Sequence, residues 1–142
     1  MSFFTSLRVN GSALAAERLR VDLASANLAN ANSTRTAEGG PYRRRDPILQ
    51  AVPLSGSFGS EIERAVRMVN VRRIVIDQRP PREVFNPSHP DADGQGIVRL
   101  PNVQIVEETV NLMNASRAYE ANLVAISISR EMAERAMRMG KN

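Results

Sequence analysis

The chain has 142 residues, which is enough for one domain with a core of its own. It contains no cysteine and no tryptophan, four phenylalanines and two tyrosines, which excludes disulfides and thiolate metal sites and leaves few large side chains for a core. The net charge is +4, but most of its arginines alternate with acidic residues, so we expect a solvated or interface-lining surface and no nucleic-acid binding.

The first predicted element is an N-terminal helix from about residue 5 to residue 31. Apolar residues recur along one side of it at a strict seven-residue interval: Leu7, Leu14, Val21 and Leu28. This interval is typical of helices that wrap around each other as a left-handed coiled coil. Asn10, Glu17 and Arg18 stand where the second apolar position of such a seam would fall. A plain helical hairpin in a small bundle therefore remains an open alternative.

The middle of the chain changes character after a loop predicted at residues 33–41. Residues 71–77 (VRRIVID) are rich in β-branched side chains and short enough for a strand. Shorter extended pieces are predicted at residues 48–52, 83–85 and 96–100. Residues 55–60 (SGSFGS) are expected to be flexible, and the prolines from Pro80 to Pro90 exclude a helix there. We expect a small, loop-rich β insertion.

A second helix is predicted after Pro101, with Asn102 as a candidate N-cap and Gly140 at its end. At ~100° per residue it carries two apolar stripes. The first stripe consists of Ile105, Leu112, Tyr119, Leu123, Ile126 and Met137. The second consists of Val106, Val110, Met113, Val124 and Ile128. Because one core covers one stripe, another molecule must cover the second, which favours an assembly subunit over an enzyme.

The predicted fold is mainly α with a small β insertion, in which the long terminal helices pair as a coiled-coil-like hairpin. Residues 1–32 form an N-terminal assembly helix, residues 33–102 the loop-rich β insertion, and residues 103–142 a C-terminal assembly helix. No stretch approaches the ~20 apolar residues that a membrane span requires. The N-terminus also lacks the basic start and apolar core of a cleaved secretory signal.

No residue pattern predicts catalysis, a cofactor or a metal site. His89 is the only histidine, and a general base needs an orienting partner and a nucleophile within reach. Asp91, Asp93 and Gln95 only faintly match a calcium loop, because position twelve of that loop would be Asn102 instead of glutamate. We interpret this segment as a tight turn.

Four segments, taken together, resemble the bacterial flagellar basal-body rod protein family, and within it the proximal-rod members. They are residues 25–33 (SANLANANS), 39–44 (GGPYRR), 86–93 (NPSHPDAD) and 115–122 (ASRAYEAN). The segments occur in the family's order and span nearly the whole chain. One departure is Ala26, which stands where the family often has a second asparagine.

The resemblance implies a structural subunit of the proximal rod, the drive shaft of the flagellar basal body that crosses the periplasm. Its implied partners are other rod subunits, further copies of itself in a helical assembly and the flagellar type III export gate, without nucleic acid or direct membrane insertion. Phe3 and Leu7 resemble the element that engages the gate, although both could simply pack in the helix. The asparagines at positions 27, 30 and 32 could satisfy backbone groups at the helix end or in the next subunit. The alternative function is a cytosolic helical adaptor or a nucleic-acid-binding module.

Overall fold

The computed structural model describes residues 3–54 and 66–140, which form two long helices and two small antiparallel sheets. Helix α1 spans Phe3–Ala29 and helix α2 spans Ile105–Met139. Strands β1 (Arg45–Pro53) and β2 (Arg67–Ile76) form one sheet, and β3 (Arg82–Phe85) and β4 (Ile97–Leu100) form the other. The prediction of two terminal helices with a small β region between them is confirmed. The predicted flexible segment 55–60 lies outside the described residues.

Helix α2 begins three residues later than its predicted cap. Its N-cap is Gln104, which is extended (φ −92°, ψ 109°) and makes no side-chain cap hydrogen bond, so the prediction of Asn102 is wrong. The reason is packing: Val103 is buried with Ala31 and Tyr42 in one apolar cluster, and the backbone stays extended to deliver it there. At the other end Gly140 follows the helix as predicted, and its N–H donates to Ala136 O at 3.2 Å.

The strands lie where the β-branched pieces were predicted, and β1 and β2 are longer than expected. Ile48 pairs with Arg73 and Leu49 with Val71, so Arg72 is an extra residue of β2 without a partner on β1. This is the geometry of a β-bulge, which bends the strand and increases its twist.

Helix α1 contacts both α2 and the β1–β2 hairpin. Asn27, near the end of α1, is hydrogen-bonded to Glu108, in the first turn of α2, so the two helices run antiparallel. On the hairpin side, Val69 N–H donates to Ser12 Oγ at 3.1 Å. The loop between β3 and β4 is attached to the chain after α1, because the Asp91 carboxylate accepts the Thr34 hydroxyl at 2.5 Å and pairs with Arg35.

The core is small and contains polar groups. Among the described residues, the three largest fully buried side chains are Glu108, Asn27 and Pro101. The buried aliphatic and aromatic residues are Ala16, Ala24, Ala31, Tyr42, Leu54, Val98, Val103 and Ala115. Alanine lets helices approach closely but removes little apolar area from water, so polar contacts contribute much of what defines this core.

Candidate assembly surface and buried junction

A cluster of buried polar side chains joins the end of α1, the chain leading into β1 and the start of α2. We call Asn27, Tyr42, Arg44 and Glu108 the buried polar junction. Asn27 and Glu108 are each 1% exposed. Three separate segments therefore meet around groups that water does not reach, and each of these groups needs a partner within the protein.

Asn27 is the centre of the junction. Its Nδ2 group donates to Arg45 O and to Glu108 Oε2, both at 2.9 Å. Its Oδ1 atom accepts the Tyr42 hydroxyl and the Arg45 backbone N–H, also at 2.9 Å. The amide thus fixes the beginning of β1 against the last turn of α1 and offers one N–H to α2.

Glu108 and Arg44 form a buried ion pair. Arg44 Nε donates to Glu108 Oε1 at 2.5 Å, and Arg44 Nη1 donates to Asp46 Oδ2 at 2.9 Å. Burial alone would lower the pKa of the Arg44 guanidinium, but its hydrogen bonds to Glu108 and Asp46 outweigh this and raise the pKa. Arg44 therefore stays charged at neutral pH. Removing either partner of such a pair leaves an uncompensated buried charge, at a typical cost of ~3–5 kcal/mol.

Tyr42 completes the junction on the side of the loop. Burial raises the pKa of the Tyr42 phenol. The Arg45 guanidinium lies 5.9 Å from the ring centroid and lowers this pKa, whereas the charge of Glu108 raises it further. The phenol therefore stays protonated at neutral pH and donates its hydrogen bond to Asn27.

The three asparagines of the 25–33 segment have three different environments. Asn27 is in the junction, whereas Asn30 bonds locally, with Nδ2 donating to Ala26 O at 2.8 Å and Oδ1 accepting the Ser33 hydroxyl at 3.1 Å. Asn32 is exposed. Asn30 thus bonds within the end of the helix, and Asn32 is the exposed residue of the three.

One side of the exposed surface of α2 carries a stripe of apolar side chains. We call Val106, Val110, Met113, Val124 and Ile128 the outer stripe; each is at least 50% exposed. At ~100° per residue, the outer stripe lies roughly opposite the side of α2 that carries the buried Glu108 and Ala115. Nothing in the described part of the chain covers it.

The first stripe of α2 is divided between two environments. Leu112, Tyr119 and Ile126 are half-buried, whereas Ile105, Leu123 and Met137 are exposed. The side of α2 with the least exposure carries small and polar residues at seven-residue spacing. These are Glu108, Ala115, Asn122 and Ser129. Apolar periodicity misses such a side, and a search for small residues at that spacing would have found it.

The predicted residues of α1 lie mainly beside its buried side. Leu14, Val21 and Leu28 are half-buried and Leu7 is exposed, while the buried residues of α1 are Thr5, Ala16, Ala24 and Asn27. Phe3 is half-buried, and its ring meets the exposed Phe4 edge-on at 5.5 Å between centroids.

Three junction residues had no role in the sequence prediction. Tyr42 and Arg44 belong only to the 39–44 segment that resembles the family, and Glu108 belongs to no predicted site. Their partners lie 15 to 81 positions away along the chain, and no local pattern reports contacts of that range.

The other residues considered for chemistry serve as turn formers. His89 Nδ1 accepts the backbone N–H of Asp91 at 3.0 Å. Asp93 Oδ1 accepts the backbone N–H groups of Gln95 and Ile97, and these bonds lower the pKa of the Asp93 carboxyl. Across residues 3–54 and 66–140, no group of three acidic or histidine side chains is placed to hold a metal ion. Neither helix there is long and apolar enough to cross a membrane.

Comparison with known proteins gives matches at both ends of the chain and over its full length. Residues 7–35 match the family model described as flagella basal body rod protein, and residues 95–139 match that of the flagellar basal body rod FlgEFG protein C-terminal region. The chain is 37% identical over 150 residues to the flagellar basal-body rod protein FlgC of Borreliella burgdorferi, covering 96% of this chain and 97% of that one. FlgC of Bacillus subtilis is 37% identical over 150 residues and FlgC of Salmonella typhimurium 35% over 141, each covering 99% of this chain and all of the relative.

Proposed function

Since this chain belongs to the FlgC family of flagellar basal-body rod proteins, we propose that it is exported by the flagellar type III apparatus and polymerises through its terminal helices into the proximal rod. The family is a structural component of the basal-body rod and not an enzyme. Assembly with other rod subunits follows from that membership; the route of export and the contacts of polymerisation are our proposal.

The exposed outer stripe of α2 is the observation that supports polymerisation most directly. Five apolar side chains follow one side of a 35-residue helix, away from α1. The stripe has two apolar groups, at residues 106–113 and 124–128, with the exposed Arg117 between them. Exposed apolar patches on a helix mark sites of contact with other proteins. A head-to-tail contact that does not close into a ring builds a helical tube, and the outer stripe is suited to cover a neighbouring subunit in that way.

The pairing of α1 with α2 inside the subunit is the second part of the proposal. Antiparallel contact between the helices and the seven-residue spacing of Glu108, Ala115, Asn122 and Ser129 favour a left-handed, coiled-coil-like crossing. A plain hairpin would have the same partners with a different crossing angle. Asn32, exposed beyond α1, offers its amide to the neighbouring subunit.

Replacing Met113 with glutamate tests the assembly role. Met113 is in the middle of the outer stripe and half exposed, so the free subunit should tolerate the charge. In a dry contact between subunits, the same unpaired carboxylate costs several kcal/mol. We expect cells carrying only Met113→Glu to export the subunit, to lack it in purified hook-basal bodies and not to swim.

Ser127→Glu is the matched control. Ser127 is exposed on the same helix, between the two stripes, and its hydroxyl bonds only to Val124 O within the helix. This variant should build rods and swim. Normal rods from Met113→Glu cells would show that the outer stripe is not a contact between subunits. Accumulation in the cytosol without any export would instead support the adaptor alternative.

A further inference from the structure

We propose that the buried polar junction determines the register in which α2 pairs with α1, and thereby which side of α2 is presented to other subunits. Glu108 specifies the register, and Asn27 and Arg44 are the hydrogen-bond donors that its carboxylate must meet. The inference rests on the proposed function only for its consequence in the rod, because register is a property of the single chain.

The helix pair needs a residue that specifies its register, because the inward side of α2 repeats similar side chains every seven residues. Along α2 the side turned inward repeats small or polar residues every seven positions, through Ala115, Asn122 and Ser129. The buried apolar residues of α1 are Ala16 and Ala24. A slide of α2 by seven residues, ~10 Å at 1.5 Å per residue, would bring similar small surfaces together. Packing of this kind discriminates poorly between registers, because the large side chains on this side of α2, Leu112, Tyr119 and Ile126, are only half-buried and repeat at the same seven-residue spacing.

The junction makes one register distinct. Two hydrogen bonds with the Arg45 backbone fix the Asn27 amide, which donates to Arg45 O and accepts from the Arg45 N–H. Arg44 is the residue before Arg45, so the donors of Asn27 and Arg44 keep their positions on the α1 side. In the observed register these donors meet the Glu108 carboxylate. A slide of seven residues would place Ala115 there, and alanine has no acceptor for the buried Asn27 amide or for the Arg44 guanidinium, whose side chain is only 12% exposed.

The register also determines where along the subunit the outer stripe is presented to other rod subunits. The outer stripe belongs to the same helix as Glu108. The axial position of the outer stripe relative to α1 is therefore set by the position at which Glu108 bonds to the α1 side. A single buried polar position has this function in other helix pairs, where it selects one register over its neighbours. The junction is thus a specificity determinant of assembly in addition to a source of stability.

Spin-label distances in the purified full chain test this. The protein contains no cysteine, so Ser25→Cys on α1 and Ser127→Cys on α2, both at exposed positions, give two specific labels. The two sites lie far apart along the helix axis, and a slide of α2 therefore changes the distance between them. The parent should give one narrow distance. Asn27→Leu combined with Glu108→Leu, which replaces the central polar pair by apolar groups of similar size, should give a second distance population comparable to the first.

Two further variants separate register from stability. Asn122→Leu removes a half-buried amide from the same side of α2, but that amide bonds only to Ala118 O of its own helix, so a single native distance is expected. Glu108→Gln keeps the size, but Asn27 and Arg44 donate to different oxygens of the Glu108 carboxylate, and glutamine has a donating NH2 group in place of one of them. This variant should show the second distance as a minor population.

One native distance in both junction variants would overturn the proposal, even if their melting temperatures fall. If the double variant loses its helical circular dichroism, Glu108→Gln decides the question alone. Since no rod is needed for the measurement, a negative result leaves the proposed function standing. A failure of Met113→Glu to block assembly would likewise leave the register question untouched.

Discussion

Asn27 uses the whole hydrogen-bonding capacity of its side chain. An asparagine amide has two N–H donors and two acceptor lone pairs, and all four are engaged by Arg45, Tyr42 and Glu108. Aspartate would direct a carboxylate at Glu108, and glutamine would be too long for the same positions. The sequence indicated that this asparagine matters at the end of a helix, but its partners come from distant segments and only the folded chain brings them together.

Gly96 is a second residue that the local backbone requires. Its φ is +76°, and an added Cβ would lie 2.9 Å from Pro87 Cγ and 3.0 Å from a ring carbon of Phe85. We expect Gly96→Ala to destabilise the β3–β4 arm by ~1–2 kcal/mol or more, because a left-handed conformation and a steric contact add together. Chemical denaturation followed by the NMR signals of β3 and β4 measures this.

Gly94, two residues earlier in the same loop, is the control. Its φ is not positive and an added Cβ would meet nothing within 4 Å. Gly94→Ala should leave the arm as stable as in the parent or slightly more stable. Equal effects of the two alanines would mean that the conformation at Gly96 does not constrain the arm.

At the scale of elements, the two helices differ in length. Helix α1 has 27 residues and α2 has 35, about 40 and 52 Å at 1.5 Å per residue. Their ends are fixed together at the junction, so the last turns of α2 project beyond the start of α1. The exposed side chains of Met137 and Met139 lie in this projecting part.

Shortening the chain should therefore have two distinct results. A chain ending at Glu134 loses the projecting turns and one exposed ion pair, Arg135 with Glu131, which is worth little. We expect its thermal unfolding, followed by circular dichroism, to stay within a few degrees of the parent, and its incorporation into rods to fail.

A chain ending at Gln104 is the contrasting truncation. It lacks Glu108 and the helix that covers Ala16 and Ala24, so α1 should lose most of its helical signal despite being intact in sequence. A stable α1 in this fragment would show that α1 does not depend on α2.

The presence of the helices and strands was more predictable than which of their residues are buried. Residues 71–77 and the long periodic helix were identified because β-branched runs and apolar stripes are local properties. Leu112, Tyr119 and Ile126 of the predicted first stripe are half-buried, but the most buried residues of α2, Glu108 and Ala115, were not identified because they give no apolar signal. The start of α2 was also misplaced, since burial of Val103 with Ala31 and Tyr42 depends on the tertiary fold.

For the whole molecule, composition and the four family segments predicted a mainly α subunit with a β insertion, and the fold and the relatives agree. The attachment of the β1–β2 hairpin to α1 could not be predicted. It depends on contacts such as the backbone N–H of Val69 with Ser12 Oγ, and neither residue differs in type from many others in the chain.

Export of the whole chain is proposed to depend on Phe3 and Leu7. Phe3 and Leu7 are partly accessible at the start of α1, where an export gate could bind them before the helix packs. We expect Phe3→Ala combined with Leu7→Ala to retain the subunit in the cytoplasm, as judged by immunoblots of cytoplasmic and periplasmic fractions. Phe4→Ala, which removes the neighbouring and more exposed ring, should be exported normally. If the double mutant reaches the periplasm in the same amount as the parent and only its assembly is impaired, Phe3 and Leu7 act in packing and not in export.

The junction also imposes an order in time. Asn27 and Glu108 are 81 positions apart, and a chain that emerges with its N-terminus first presents Asn27, Tyr42 and Arg44 long before Glu108. Contacts of such long range form late, because a large loop must close before they are made. During most of its emergence the chain has no closed helix pair and no completed outer stripe. The outer stripe, which we propose as the contact with neighbouring subunits, is therefore completed last, after the C-terminal helix has emerged.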